Sequence, residues 1–75
     1  MTRPLWKIAQ DIKADWRKPY FGAAPYIDAL SDLDSINDRY GLDDADSIVR
    51  YFLANAGTWR GETARTVKKE LKAML

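Results

Sequence analysis

Residues able to perform chemistry are scarce in this 75-residue chain, which has no cysteine and no histidine. Thiolate metal sites, disulfides and the commonest general base are therefore excluded. The carboxylates of Asp11 and Asp15 stand four residues apart, the spacing of neighbours on one helix face, and such a pair would suit acid–base chemistry. Bases surround them in the sequence: Lys7, Lys13, Arg17 and Lys18. We therefore expect local ion pairs on a solvated face, and we predict no catalytic residue and no enzyme activity.

The acid-rich stretch DLDSINDRYGLDDAD, residues 32–46, is the one segment that suggests a metal. A calcium-binding EF-hand loop requires a glycine at its sixth position and a glutamate at its twelfth. Counted from Asp32, those positions hold Asn37 and Asp43, and Ile36 takes the third ligand position. We interpret these acids as turn-forming and helix-capping residues, and we predict no metal and no cofactor.

Charge is segregated along the chain. Residues 1–19 carry five bases and two acids, residues 20–55 two bases and seven acids, and residues 56–75 five bases and two acids. Basic helix faces at the two ends could merge into a surface for DNA or RNA phosphates, provided that the acidic middle faces away. The predicted contacts for nucleic-acid binding are Arg65, Lys68, Lys69 and Lys72.

Aromatic residues offer the competing interpretation, since nine of them occur in this short chain. Five do not all fit the predicted core: Trp6, Tyr20, Phe21, Tyr26 and Tyr51. Exposed tyrosine, tryptophan and arginine dominate the energetics of protein interfaces, but the same rings could simply cover the edges of a small core. For a protein-binding surface the predicted contacts are Trp6, Tyr20, Phe21 and Arg60. The same aromatics could instead join two copies of the chain.

Four helical segments would position these residues. The first spans 3–18, with Thr2 as its N-cap and Pro19 closing it, because Leu5, Ile8, Ile12 and Trp16 recur at helical spacing. The second spans 23–33 and opens with Pro25. Residues 34–42 are rich in turn formers and allow one short helical turn at Ser35–Arg39, with Ile36 and Tyr40 inward and a left-handed Gly41 after it.

The third helix is predicted to begin at a capping Asp43 or Asp44 and to end at Ala56, with Gly57 at its C′ position. Thr58 would cap the fourth, whose apolar face carries Ala64, Val67, Leu71, Met74 and Leu75. The segment GTWRGE would thus be a junction between helices, with Trp59 folded back onto the third helix and Arg60 in solvent. Gly61 would lie inside the fourth helix at a cost of about 1 kcal/mol relative to alanine.

The pattern as a whole predicts an all-α fold: a compact four-helix single domain, residues 1–75, with short connectors. No run of about 18 apolar residues and no signal-peptide pattern is present, so we expect a soluble cytoplasmic protein without a membrane segment.

Two stretches of the chain, PYFGAAPYIDAL and IVRYFLANAGTWRGETARTVKKELKAML, resemble short helical proteins of phages, prophages and other mobile elements. The likeness covers roughly residues 4–75, and YFGAAPY and TWRGE are its most specific parts. It carries no known activity or site residues. It implies a context in which a small phage protein binds and modulates a host protein.

Overall fold

The computed structural model describes residues 3–41 and 43–75. In chain order the elements are α1 (Leu5–Asp15), α2 (Ala24–Leu30), β1 (Arg39–Tyr40), β2 (Asp43–Asp44), α3 (Ala45–Ala54) and α4 (Glu62–Met74). The two short strands pair antiparallel, with Arg39 opposite Asp44. The described chain is thus mainly helical, as predicted, and the pair of strands was not foreseen.

One apolar cluster is built from all four helices, because each contributes buried residues spaced three or four apart. α1 packs against α2 and α4, and α2 packs against α3. The buried residues on the helices are Leu5, Ile8, Ala9, Ile12, Ile27, Ala29, Leu30, Ala45, Ile48, Val49, Phe52, Ala64, Val67 and Leu71. Leu75, predicted for the apolar face of the last helix, is instead 43% exposed.

The start of α1 is set by contacts with a distant segment. Its first two amides, those of Leu5 and Trp6, donate to the carbonyls of Asp34 and Leu33, each at 2.9 Å. Helix N-termini need partners for such amides, and here the chain after α2 supplies them in place of a side-chain cap. The predicted start at residue 3 is therefore wrong, and the predicted cap Thr2 lies outside the described residues.

The end of α1 also differs from the prediction, since the helix stops at Asp15 and not at residue 18. Trp16 has left helical geometry (φ −96°, ψ 81°). Its ring stacks on Trp59 with 5.7 Å between centroids. Trp16 therefore stacks on a residue 43 positions away in the sequence and does not continue the helix.

α2 is shorter than the predicted 23–33, although Pro25 lies in its first turn as expected. Leu33 is buried but follows the helix in a tighter turn, with its amide donating to the Leu30 carbonyl at 3.1 Å. Leaving the helix frees the Leu33 carbonyl to accept the amide of Trp6.

The predicted helical turn at Ser35–Arg39 is a shorter turn followed by a strand. The Asp38 carboxylate accepts the amides of Asp34 and Ser35 at 2.9 and 3.1 Å, and the Asp38 amide donates to the Ser35 carbonyl. Gly41 is left-handed (φ 63°), as predicted, but it turns the hairpin and does not end a helix. Tyr40 was predicted to point inward, but its side chain lies outside the part of the structure that is described.

α3 begins after Asp44, one of the two predicted capping residues. The Asp44 carboxylate, however, pairs with Arg39 across the hairpin at 3.1 Å and accepts no helix amide. At the other end α3 stops at Ala54. The Asn55 side chain donates to the Tyr51 carbonyl at 2.8 Å and closes the helix, so Gly57 does not occupy the predicted C′ position.

α4 begins at Glu62, three residues later than predicted, and Thr58 does not cap it. The residue at the N-cap position is Gly61, with φ 113° and ψ −177°, a conformation essentially restricted to glycine. Gly61 therefore lies before the helix, where its presence is required, and not inside it.

Candidate functional site

Trp59 anchors the loop of residues 55–61 to the body of the protein, and its side chain is only 2% exposed. The indole N–H donates to the Asp15 carboxylate at 2.8 Å, and the Trp59 carbonyl accepts the Lys68 ammonium at 2.7 Å. The ring lies parallel to that of Trp16 and meets the edge of Phe52 at 6.2 Å. Trp59 thus folds back onto α3 as predicted, and its ring is not available to a ligand.

The surface beside Trp59 forms an open cavity of about 440 Å³, which we call the basic cavity. Three cationic residues line it: Arg60 from the loop, and Arg65 and Lys68 from α4. The other lining residues are Gly57, Trp59, Gly61 and Ala64, so no carboxylate of the described chain contributes. Arg60 is exposed, as predicted. The structure therefore brings together one residue predicted for protein binding and two predicted for nucleic-acid binding.

Lys68 has an unusual environment within this cavity. Burial lowers the pKa of its ammonium below the ordinary 10.5, and the positive charges of Lys72 and Arg60 lower it further. The ammonium lies 6.0 Å from the centre of the Trp59 ring. Of the four residues predicted to contact nucleic acid, Lys68 is the one whose ammonium already donates a hydrogen bond within the protein, to the Trp59 carbonyl. Lys69 and Lys72 are exposed and lie outside the cavity lining.

Acidic groups occupy the contact between α1 and α4. Arg3 donates to both carboxylate oxygens of Glu70, at 3.0 and 2.7 Å, and also bonds Asp11. The hydrogen bonds that Arg3 donates, first to Glu70 and then to Asp11, raise the pKa of its guanidinium above the usual range. Asp11 therefore pairs with Arg3, eight residues before it, and Asp15 accepts the indole N–H of Trp59, 44 residues after it.

Two of the bases at the α1 end of the chain lie close to α2. Lys13 pairs with Asp28 of α2 at 3.7 Å, and Lys13 and Arg17 both line a small cavity against α2. Between α1 and α4, Arg3 is paired with Asp11 and Glu70. A basic surface shared by the first and last helices stays a prediction.

A second feature is a set of four exposed or half-buried aromatic residues, Tyr20, Phe21, Tyr26 and Tyr51, which we call the aromatic surface. The rings form two contacting pairs, Tyr20 with Phe21 at 4.8 Å and Tyr26 with Tyr51 at 5.5 Å. Phe21 is 80% exposed, and Tyr20 and Tyr51 are about half exposed. The connector after α1 and the outer faces of α2 and α3 supply these residues.

Gly22 and Asn55 connect the two pairs. A Cβ atom at Gly22 would lie 2.6 Å from the Tyr20 ring and 2.9 Å from the Asn55 side-chain oxygen, so both groups press against the glycine. The amide of Asn55 in turn donates to the Tyr51 carbonyl. The connector can approach α3 this closely because residue 22 has no side chain.

The four residues predicted for protein binding do not form one site. Trp6 is 39% exposed and lies at the start of α1. Roughly 14 Å of helix separates it from Asp15 at the other end of α1, and Tyr20 lies in the connector beyond Asp15. Arg60 lies in the basic cavity. Tyr20 and Phe21 remain together and are joined by Tyr26 and Tyr51. In the sequence, Tyr26 and Tyr51 were among the aromatic residues that did not all fit the predicted core, but neither was a predicted binding residue.

In the described ranges, no three acidic side chains come close enough to share a metal ion. No helix there has the length and apolar character needed to cross a membrane. Comparisons of the chain with protein-family models, with curated proteins and with solved structures gave no match. The resemblance to small proteins of phages and mobile elements therefore stays a hypothesis.

Proposed function

We propose that this chain is a non-catalytic protein-interaction domain that binds its partner through the aromatic surface. The observation that carries the proposal is the exposure of Phe21, at 80%, in a contacting pair with Tyr20, beside a second contacting pair formed by Tyr26 and Tyr51. Transfer of one such side chain from water into an interface stabilises a complex by about 1.5–3 kcal/mol. Aromatic clusters of this kind are typical of binding hot spots.

The proposal treats residues 1–75 as one all-α, four-helix domain with short connectors that acts as a rigid support. Buried residues of all four helices belong to one cluster, which supports this view. The connector that carries Tyr20 and Phe21 is held against α3 through Gly22 and Asn55. A rigid aromatic group loses little conformational entropy on binding, which favours affinity.

The charges beside the aromatic surface indicate the chemistry of the partner. Arg17 and Lys18 are exposed and lie in the same connector, just before Tyr20 and Phe21 in the sequence. A complementary partner would present an apolar pocket for Phe21 with carboxylates at its rim, which would also increase the association rate. If the resemblance to mobile-element proteins holds, this partner is a protein of the host.

The test compares Phe21→Ala with Leu75→Ala, which also removes an exposed apolar side chain but lies outside the aromatic surface. Affinity capture from lysate supplies the partner, and titration of the purified pair gives Kd. We expect Phe21→Ala to weaken binding at least roughly tenfold, as for a hot-spot residue, and Leu75→Ala to have little effect.

Amide NMR shifts of the labelled chain decide whether the captured protein uses this surface. Shifts on partner addition at Tyr20, Phe21, Tyr51 and Asn55 would support the proposal. Equal affinity of the two variants, or shifts confined to other residues, would contradict it. A third outcome is self-association of the chain through these rings, and sedimentation of the chain alone detects it. Self-association would make the apparent mass increase with concentration, and this increase would disappear in Phe21→Ala.

Nucleic-acid binding through α4 is the second candidate. The observation favouring it is that the exposed Arg65, Lys69 and Lys72 lie on one face of α4, while Glu70 is held by Arg3. Salt titration of DNA or RNA binding tests it, since each phosphate contact contributes a slope of about −0.9 in log affinity against log salt on duplex DNA. Absence of binding at low salt would remove this candidate.

A further inference from the structure

The basic cavity gathers three positive charges without a counter-charge from the protein. Elsewhere the arginines in ion pairs face carboxylates directly: Arg3 faces Asp11 and Glu70, and Arg39 faces Asp44. Within residues 3–41 and 43–75, no carboxylate lies within ion-pair distance of Arg60, Arg65 or Lys68. Clustered cations repel one another, so this arrangement costs the folded chain stability unless an anion is bound.

Lys68 is the half-buried cation of the cavity. Its pKa is lowered by burial and by the charges of Lys72 and Arg60. The hydrogen bond from its ammonium to the Trp59 carbonyl fixes the position of the nitrogen, and an ammonium has three donors. A bound anion would accept a further N–H and would offset the neighbouring positive charges.

The cavity is open to a ligand because two of its lining residues have no side chain. No atom lies within 4 Å of the Cβ position at Gly57 or at Gly61. Gly61 also has a conformation that other residues rarely adopt. The glycines of GTWRGE thus leave space in front of Arg60, Arg65 and Lys68.

We propose that the basic cavity is a binding site for a phosphoryl group, either free phosphate or the terminal phosphate of a small ester. A phosphate monoester presents three terminal oxygens and close to two negative charges at neutral pH, which suits three cationic side chains that line one cavity. A volume of about 440 Å³ is within the range of small-molecule sites. This inference does not depend on the proposed function, because the aromatic surface is a separate group of residues.

A nucleic-acid strand suits the cavity less well than a small phosphate. Single-stranded binding sites provide aromatic rings on which bases stack. The only aromatic side chain in the cavity lining, Trp59, is 2% exposed and already stacked on Trp16. The diester backbone also offers two free oxygens per phosphate in place of three.

The experiment is an NMR titration of the labelled chain at constant ionic strength with three probes: inorganic phosphate, phenyl phosphate and a single-stranded oligonucleotide. The variants are Arg60→Gln, Arg65→Gln and, as a matched control, Lys69→Gln. Lys69 is exposed on the same helix but does not line the cavity. A fourth variant, Gly57→Asp, places a carboxylate in open space at the cavity, so we expect it to fold.

We expect saturable shifts of the amides of residues 57–61, 65 and 68 with phosphate or phenyl phosphate. Arg60→Gln or Arg65→Gln should raise Kd roughly tenfold, the effect of losing one charge-assisted hydrogen bond. Lys69→Gln should change Kd less than twofold by comparison, and Gly57→Asp should abolish binding. Tighter binding of phenyl phosphate identifies an ester as the preferred form, and tighter binding of inorganic phosphate identifies the free ion.

Three results would overturn the inference. The first is the absence of saturable shifts with either phosphate probe. The second is an equal loss of affinity in Lys69→Gln and Arg65→Gln, which would mean that phosphate is attracted by the general positive charge of α4 and not bound at a specific site. The third is binding of the oligonucleotide alone, which would assign these bases to nucleic acid.

Discussion

At the scale of single residues, Trp59 makes more structural contacts than the sequence predicts, since its contact with α3 was expected and its contacts with α1 and α4 were not. It lies outside every helix, yet it contacts α1 through Asp15, α3 through Phe52 and α4 through Lys68. Each of its polar groups has a partner, and its ring is almost completely buried. A loop residue that joins three helices in this way is expected to contribute as much as a residue of the core.

Replacement of Trp59 by alanine should therefore lower the free energy of unfolding by about 3–5 kcal/mol, the usual cost of truncating a buried tryptophan. Phe21→Ala is the matched control, because it also removes a large ring but from an 80% exposed position. Its effect should be within about 0.5 kcal/mol. Urea unfolding followed by far-UV circular dichroism measures both. A comparable loss in the two variants would mean that Trp59 does not anchor the loop.

Gly57 and Gly61 offer the same substitution in two opposite environments. Gly61→Ala forces a side chain into a glycine-only backbone region and should cost about 1–3 kcal/mol. Gly57→Ala meets no atom within 4 Å and a backbone that is not left-handed, so it should be neutral or stabilise by up to about 1 kcal/mol. Thermal or urea unfolding of the two variants is the measurement. An equal effect would contradict the conformational explanation.

At the scale of helices and strands, the sequence predicts the existence of the four helices but not their ends. The buried positions of each helix follow from the three-to-four spacing of apolar residues. The ends depend on groups far away in the sequence: α1 begins where Leu33 and Asp34 offer carbonyls, and stops where Trp16 turns to Trp59. A local pattern contains no information about such partners, so most predicted ends were too long or misplaced, and the start of α3 after Asp44 is the exception.

The ionic network between α1 and α4 was hidden from the sequence for the same reason, since Arg3 and Glu70 are 67 positions apart. A double-mutant cycle of Arg3→Gln and Glu70→Gln should give a coupling of about 0.5–1 kcal/mol, because the pair is bidentate but partly exposed. The coupling should shrink as salt is added.

Lys13 and Asp28 provide the control cycle for this network. They form a longer pair, at 3.7 Å, between two largely exposed side chains, and their coupling should be close to zero. Unfolding free energies at low and high salt measure both cycles. If the Arg3–Glu70 coupling does not exceed the control, the network does not hold α4 against α1.

At the scale of the whole molecule, two separate surfaces stand out: the aromatic surface and the basic cavity. The sequence indicated the chemical character of both, through misfit aromatics and clustered bases. It did not assign them to separate surfaces, however: Trp6 lies at the start of α1 and Arg60 lines the basic cavity, whereas Tyr20 and Phe21 lie together in the connector after α1. Tyr26 and Tyr51 join the aromatic surface only because α2 packs on α3.

Both surfaces are built from several elements, so both require the chain to fold as one unit. This requirement leads to a final prediction. Because one buried cluster includes residues of all four helices, we expect a single cooperative transition in urea, with a slope of about 1 kcal/mol per molar. Far-UV circular dichroism reports the helices, and tryptophan fluorescence reports the stacked Trp16 and Trp59. The two curves should coincide. Separate transitions would mean that the Trp59 loop and α4 unfold independently, and that the basic cavity is supported by only part of the domain.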